Sequence, residues 1–84
     1  MQKTIILILV GKRRKSSLKV QEVLTKYGCN IKTRLGLHDG VLEQCSDVGF
    51  IMIEFVGEGD LKNEMVIALS EIEDVTAKLV ELSL

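Results

Sequence analysis

Two stretches of the chain are apolar at consecutive positions, whereas a half-buried strand should alternate apolar and polar side chains. The first stretch is Ile-Ile-Leu-Ile-Leu-Val at 5–10, and the second is Phe-Ile-Met-Ile-Glu-Phe-Val at 50–56. Both strands therefore need apolar neighbours on both faces of a sheet. Amphipathic helices can cover only one of these faces, so we expect the other face to contact a second copy of the chain.

Apolar positions at helical spacing predict two amphipathic helices. The stripe of the first helix follows the first strand and comprises Val20, Val23, Leu24 and Tyr27. Ser16 or Ser17 can cap its start, and Gly28 can end it in the left-handed conformation. Asp60 is a good cap for the second helix, whose stripe comprises Leu61, Met65, Ala68, Leu69 and Ile72.

Two further strands alternate, as half-buried strands do. The core-facing positions of one are Ile31, Thr33, Leu35 and Leu37, and those of the other are Val75, Ala77 and Leu79. Residues 39–49 have no periodicity and are predicted to form a loop. The order βαββαβ predicts an α+β, ferredoxin-like domain over residues 1–84. Its antiparallel sheet should have the strand order 4-1-3-2, with two helices on one face.

The face of the sheet opposite the helices is the predicted interface. A register that pairs Arg34 with Glu54 also pairs Gly36 with Met52, and His38 with Phe50. The face would then have an apolar centre with a polar margin on the second strand, as interfaces do. The predicted interface residues are Arg34, Gly36, His38, Met52 and Glu54. The alternative is a loop or terminus folded over this face.

Charge is distributed unevenly along a chain whose formal net charge is only −1. Residues 1–42 carry nine Lys or Arg and two acids, and residues 43–84 carry two Lys and ten acids. This asymmetry indicates either a basic site or complementary surfaces on associating copies. The apolar runs are too short for a membrane span, and no signal peptide or disulfide framework is evident. We therefore expect a cytoplasmic protein.

Candidate chemistry is sparse. Four cations at 12–15 precede a helix start, where an anion is favoured, although a solvated charged loop is the commoner outcome. His38, Cys29 and Cys45 could contribute to a metal site, but their spacing matches no structural zinc motif. A Cys45–His38 pair is still weaker support for catalysis, because proximity across a loop does not establish catalytic geometry. We expect neither an enzyme nor a resident cofactor.

Two segments resemble a family of ACT-like, ferredoxin-fold regulators of the iron-only hydrogenase system. They are Leu-Thr-Lys-Tyr-Gly at 24–28 and Lys-Thr-Arg-Leu-Gly-Leu-His at 32–38, which contains the Arg-x-Gly motif of Arg34 and Gly36. The resemblance extends from the first strand to residue 78. His38 departs from it, because a proline is expected there, and the second helix lacks the expected glycines.

The resemblance implies a regulatory domain that assembles through its sheet and binds a small ligand near the first strand–helix loop. The matching ligand-binding positions are Gly11, Lys12, Arg13 and Ser16. The His/Cys spacing of the related nickel repressors is absent, so nickel binding is not implied. No ribbon-helix-helix segment precedes the domain, so no direct DNA binding is expected.

These observations together predict a homodimer or higher homo-oligomer that binds a small anionic or amino-acid-like ligand at a subunit interface. Two alternatives stay open. One is an interaction module without a ligand, and the other is a metal sensor that uses His38 with a cysteine of a neighbouring copy.

Overall fold

The predicted βαββαβ order is confirmed. The computed structural model describes residues 1–38 and 47–84. A short 3-10 turn, Gly28–Asn30, follows the first helix. The elements are β1 (Gln2–Val10), α1 (Arg13–Lys26), β2 (Ile31–His38), β3 (Gly49–Phe55), α2 (Leu61–Ser70) and β4 (Val75–Ser83).

The four strands form one antiparallel sheet in the order β2-β3-β1-β4, which is the predicted order. The doubly apolar strands β1 and β3 are central, as their lack of alternation requires. The core lies between one face of the sheet and the apolar stripes of both helices. Its least exposed large side chains are Ile6, Ile8, Leu24, Ile53, Met65, Leu69 and Val20. Each of these stabilises the fold by about 1.5–3 kcal/mol through burial.

The helix ends differ in part from the predictions. α1 begins at Arg13 with Lys12 as its N-cap residue, so neither predicted serine caps it. Gly28 adopts no left-handed conformation, because the chain passes directly into the 3-10 turn. Asp60 is the N-cap residue of α2 as predicted. Its carboxylate accepts a hydrogen bond from the Asn63 side chain at 2.7 Å rather than from the helix backbone.

The predicted register between β2 and β3 is wrong by one residue. Ile31 pairs with Phe55, but Thr33 pairs with Glu54, so Lys32 is an extra residue in a β-bulge. A shift of one residue moves every later side chain to the opposite face. Arg34 and Gly36 therefore lie on the helix side of the sheet. On the open face, Leu35 pairs with Met52 and Leu37 with Phe50.

Gly57 lies in the connection from β3 to α2 and is fixed close to the start of β2. Its φ of +125° is in a region that side chains rarely adopt. A Cβ at this position would lie 2.6 Å from Nδ2 of Asn30. That nitrogen donates a 3.0 Å hydrogen bond to the Val56 carbonyl, and this bond keeps the Asn30 side chain next to Gly57.

Candidate functional site

Three of the four predicted ligand-binding residues contact the turn between α2 and β4. The Gly11 backbone N–H donates to the Asp74 carbonyl at 2.7 Å. The buried Ser16 hydroxyl donates to the Glu73 carbonyl at 3.0 Å. Lys12 Nζ lies 3.1 Å from an Asp74 carboxylate oxygen and 3.8 Å from one of Glu73. Gly11, Lys12 and Ser16 thus connect the start of α1 to this acidic turn.

The acidic turn also changes the titration of Lys12. The hydrogen bond to Asp74, followed by the charges of Asp74 and Glu73, raises the pKa of Lys12 above its ordinary value. Lys15 Nζ lies 3.2 Å from the other oxygen of the Glu73 carboxylate. Lys12 and Lys15 therefore both have acidic partners in this turn.

Asp47 occupies the N-terminus of α1. Its carbonyl accepts the Arg13 backbone N–H at 2.7 Å, and its carboxylate accepts that of Arg14 at 2.8 Å. The same carboxylate oxygen lies 3.9 Å from Nε of the exposed Arg14 side chain. A carboxylate here satisfies helix N–H groups that have no partner within the helix. The chain thus supplies its own anion at the position where the sequence favoured an anionic ligand.

The fourth predicted ligand residue, Arg13, lines a groove with two residues that were predicted for the sheet interface. This arginine groove lies between α1 and the edge of the sheet formed by β2 and β3, and has a volume of about 460 Å³. That is within the range of small-molecule pockets, roughly 300–1,000 Å³. The residues that matter for its chemistry are Arg13, Arg14, Ser17, Gln21, Arg34 and Gly36.

Arg34 extends from β2 towards α1 and donates a 2.7 Å hydrogen bond to the Gln21 side-chain oxygen. Gly36 lies beside it on the strand, and a Cβ there would meet no atom within 4 Å. The groove therefore remains open where any other residue would place a side chain. The sequence prediction omitted Ser17 and Gln21, although a polar stripe at 13, 17 and 21 follows helical spacing and indicates a shared face.

The open face of the sheet is more apolar than predicted. Residues that pair across neighbouring strands form rows that cross all four strands of this face. One row consists of Leu37, Phe50, Leu9 and Thr76, and the next consists of Leu35, Met52, Leu7 and Lys78. We call the apolar members, together with Ile5 and Val80, the open-face patch. Leu37 is 54% exposed, Leu9 49% and Leu35 47%. A contiguous apolar surface of this kind is typical of an interaction site.

The polar margin of the open face includes the Lys3–Glu54 pair near the start of β1, and it does not include Arg34 of β2. Glu54, which the sequence paired with Arg34, forms a 3.0 Å ion pair with Lys3 instead. Met52 and Glu54 lie on the open face as predicted, whereas Arg34 and Gly36 do not. Whether any of the five predicted interface residues contacts another copy stays a prediction.

The metal alternative receives no support from the part of the chain that is described. Within residues 1–38 and 47–84, no three His, Cys, Asp or Glu residues are grouped to hold a metal ion. Cys29 is exposed and forms no disulfide. Cys45 and the His38 side chain lie outside the described residues. Among the described helices, none has the length and apolar character needed to cross a membrane.

Solved structures share this fold. The uncharacterized protein TM1266 from Thermotoga maritima is similar over 99% of this chain and 100% of its own, with a TM-score of 0.82 and 25% identity. CPII from Thiomonas intermedia K12, bound to ADP, AMP and acetate, is similar over 99% of this chain and 88% of its own, at TM-score 0.57 and 13% identity.

A formyltetrahydrofolate deformylase from Pseudomonas putida KT2440 is similar over 93% of this chain, at TM-score 0.60 and 14% identity. The match covers only 28% of the deformylase. No family model matches the chain, and no curated protein matches it. The similarities establish the ferredoxin-like, ACT-like fold, and they assign no activity.

Proposed function

We propose that this protein is a small regulatory domain of the ACT-like type that forms homo-oligomers through its open-face patch. The observation that carries the proposal is the continuity of this patch across the sheet. The bulge at Lys32 directs Leu35 and Leu37 onto the same face as Leu7, Leu9 and the apolar residues of β3. Within residues 1–38 and 47–84, both helices pack on the opposite face of the sheet and neither packs on these side chains.

Charge at the edges of the patch favours a second copy over an unrelated apolar surface. Lys78 lies in the row of Leu7, and the Lys3–Glu54 ion pair lies in the rows beyond it. A two-fold contact can place cations of one copy near the acid of the other, which fixes orientation as well as burying apolar area. An interface with an apolar centre and a charged rim has this composition.

In the proposed role, the domain binds a small ligand and transmits the binding to a partner protein by changing its assembly. The resemblance to regulators of the iron-only hydrogenase system supports that system as the regulated target. CPII, which shares the fold, was solved with ADP, AMP and acetate. These three compounds therefore belong among the ligands to be screened, together with amino acids.

Sedimentation velocity over a concentration series tests the proposed assembly. We expect a dimer or larger species at micromolar concentration, because a contiguous exposed apolar patch with charged residues at its rim is typical of an interaction site. A protein that stays monomeric up to several hundred micromolar would contradict self-association and would favour an interaction module for a different partner. A thermal-shift screen on the same sample tests the regulatory role, since a ligand that binds only the native state raises Tm.

A further inference from the structure

Of the described residues that line the arginine groove, only Arg13 was predicted from the sequence to bind a ligand. We propose that it binds a small dianion without an ammonium group, of the phosphate monoester or dicarboxylate class. The inference rests on the proposed regulatory function for its biological meaning, but the site itself is argued from the groove alone. It differs from the predicted rim at Gly11, Lys12 and Ser16, which contacts the acidic turn on the other side of α1.

Charge in the lining selects the class of ligand. Arg13, Arg14 and Arg34 contribute three guanidinium groups, and the described lining contains no carboxylate. Guanidinium groups bind phosphate and carboxylate through two parallel hydrogen bonds, a geometry that a single ammonium cannot provide. An amino acid would bring its own ammonium group into this cationic surface. The described lining offers no acid to balance that charge, so amino acids should bind poorly.

Arg34 is held ready to bind an anion. Its hydrogen bond to Gln21 uses one of the five guanidinium N–H donors and fixes the side chain across the space between β2 and α1. Among the described residues, the Arg14 side chain pairs with Asp47 at a long 3.9 Å, and it is 74% exposed. It can therefore turn towards an anion in the groove at little cost. The two cations come from different elements, so a bound dianion would bridge the helix and the edge strand.

Space and apolar surface determine the size of the ligand. Gly36 leaves the floor open, and Val20 and Ile51 contribute apolar surface to the lining. A volume of about 460 Å³ accommodates a nucleoside monophosphate or a smaller ester. The anionic group would contact the arginines, and the uncharged part would lie against the apolar wall between helix and sheet.

Calorimetric titration with matched compounds tests the class. AMP is compared with adenosine, which lacks the phosphate, and glutarate is compared with L-glutamate, which adds an ammonium group. We expect AMP or glutarate to bind, with adenosine and L-glutamate at least tenfold weaker, and the stronger of the first two identifies the class. Failure of both dianions to bind, or equal binding of L-glutamate and glutarate, would overturn the proposal.

Two variants locate the site independently. Arg34→Gln removes one guanidinium and should weaken binding by about tenfold or more, because hydrogen bonds to charged groups are the strong ones. Lys32→Gln removes the same charge from the same strand outside the groove and should change affinity less than about twofold. Gly36→Val places a branched side chain in the groove beside Arg34 with every charge retained, and should weaken binding by about tenfold or more. Its control is Gly28→Ala, at a glycine that also has open space around its Cβ position.

Control measurements separate the effect of each variant on anion binding from its effects on folding and on assembly. Unfolding of each variant without ligand shows whether it is folded, and amide shifts of Gly36 and Gly49 in labelled wild-type protein report the site directly. Equal loss of affinity in Arg34→Gln and Lys32→Gln would indicate general charge attraction and would refute a groove site. Sizing of the same samples separates the two proposals. Anion binding by a monomer refutes only the assembly, and an oligomer that binds neither dianion refutes only the groove.

Discussion

Replacement of Leu35 and Leu37 by serine should separate the copies of this protein without unfolding them. Both side chains are about half exposed in the isolated chain, at 47% and 54%. Complete burial of a leucine is worth roughly 1.5–3 kcal/mol, so burial of the exposed half of each would contribute about 1 kcal/mol. In a two-fold dimer both copies lose two such contributions, or about 4 kcal/mol. The dissociation constant should rise by roughly a factor of a thousand.

The assay is sedimentation velocity of the double variant beside wild-type protein at equal concentrations. The matched control is Leu18→Ser with Ile67→Ser, two exposed apolar residues that lie on the helices. It should leave the sedimentation coefficient unchanged. Urea unfolding at a concentration where both proteins are monomeric should show a loss of no more than about 1–2 kcal/mol for either double variant.

The result that would refute this reasoning concerns the register. If Arg34→Ser dissociates the oligomer and the double leucine variant does not, the second strand presents its polar set to the partner. The bulge at Lys32 would then be absent in solution. Equal dissociation by the helix control and the double leucine variant would show that association does not use the sheet.

Three further predictions concern stability. Gly57→Ala should destabilise the fold by roughly 1–3 kcal/mol in urea unfolding, because φ is +125° and the added Cβ would clash with Asn30; an unchanged midpoint would contradict the geometry. Ser16→Ala should cost about 1 kcal/mol, since the buried hydroxyl hydrogen-bonds to the α2–β4 turn; a neutral effect would mean that the bond contributes nothing net. Asp74 raises the pKa of Lys12, so the contribution of this pair is present below the ordinary pKa of 10.5 and is lost as pH rises through the higher native value. As pH rises into the alkaline range, the free energy of unfolding should therefore fall less for Lys12→Met than for wild type. Parallel plots of this free energy against pH for the two proteins would contradict the coupling between Lys12 and Asp74.

Element type and order were predictable because they depend on local periodicity. The apolar stripe of α1 has helical spacing, whereas the runs of β1 and β3 are identified as strands by their short length and β-branched content, and handedness rules then restrict the sheet to one order. The start of α1 was less predictable. Two serines were chemically suited to cap it, but Asp47, distant in sequence, supplies the capping carboxylate.

The site was predictable only in part, for a related reason. Arg13 and Arg34 were singled out from a basic run and a short motif, and each was assigned to a different surface. They line the same groove because the bulge at Lys32 places Arg34 on the helix side of the sheet, where the edge strand β2 lies beside α1. The polar stripe at 13, 17 and 21 places Gln21 on the helix face of Arg13, but only the tertiary structure shows that Gln21 contacts Arg34.

The sequence by itself determined that β1 is a central strand with two apolar faces, of which the two helices cover one. It could not determine which side of β2 belongs to that face. The alternation of this strand is compatible with either register, because both faces of β3 are apolar and accept Leu35 and Leu37 equally well. Tertiary structure decided between them through the bulge at Lys32, which places the leucines on the open face and the arginine beside α1.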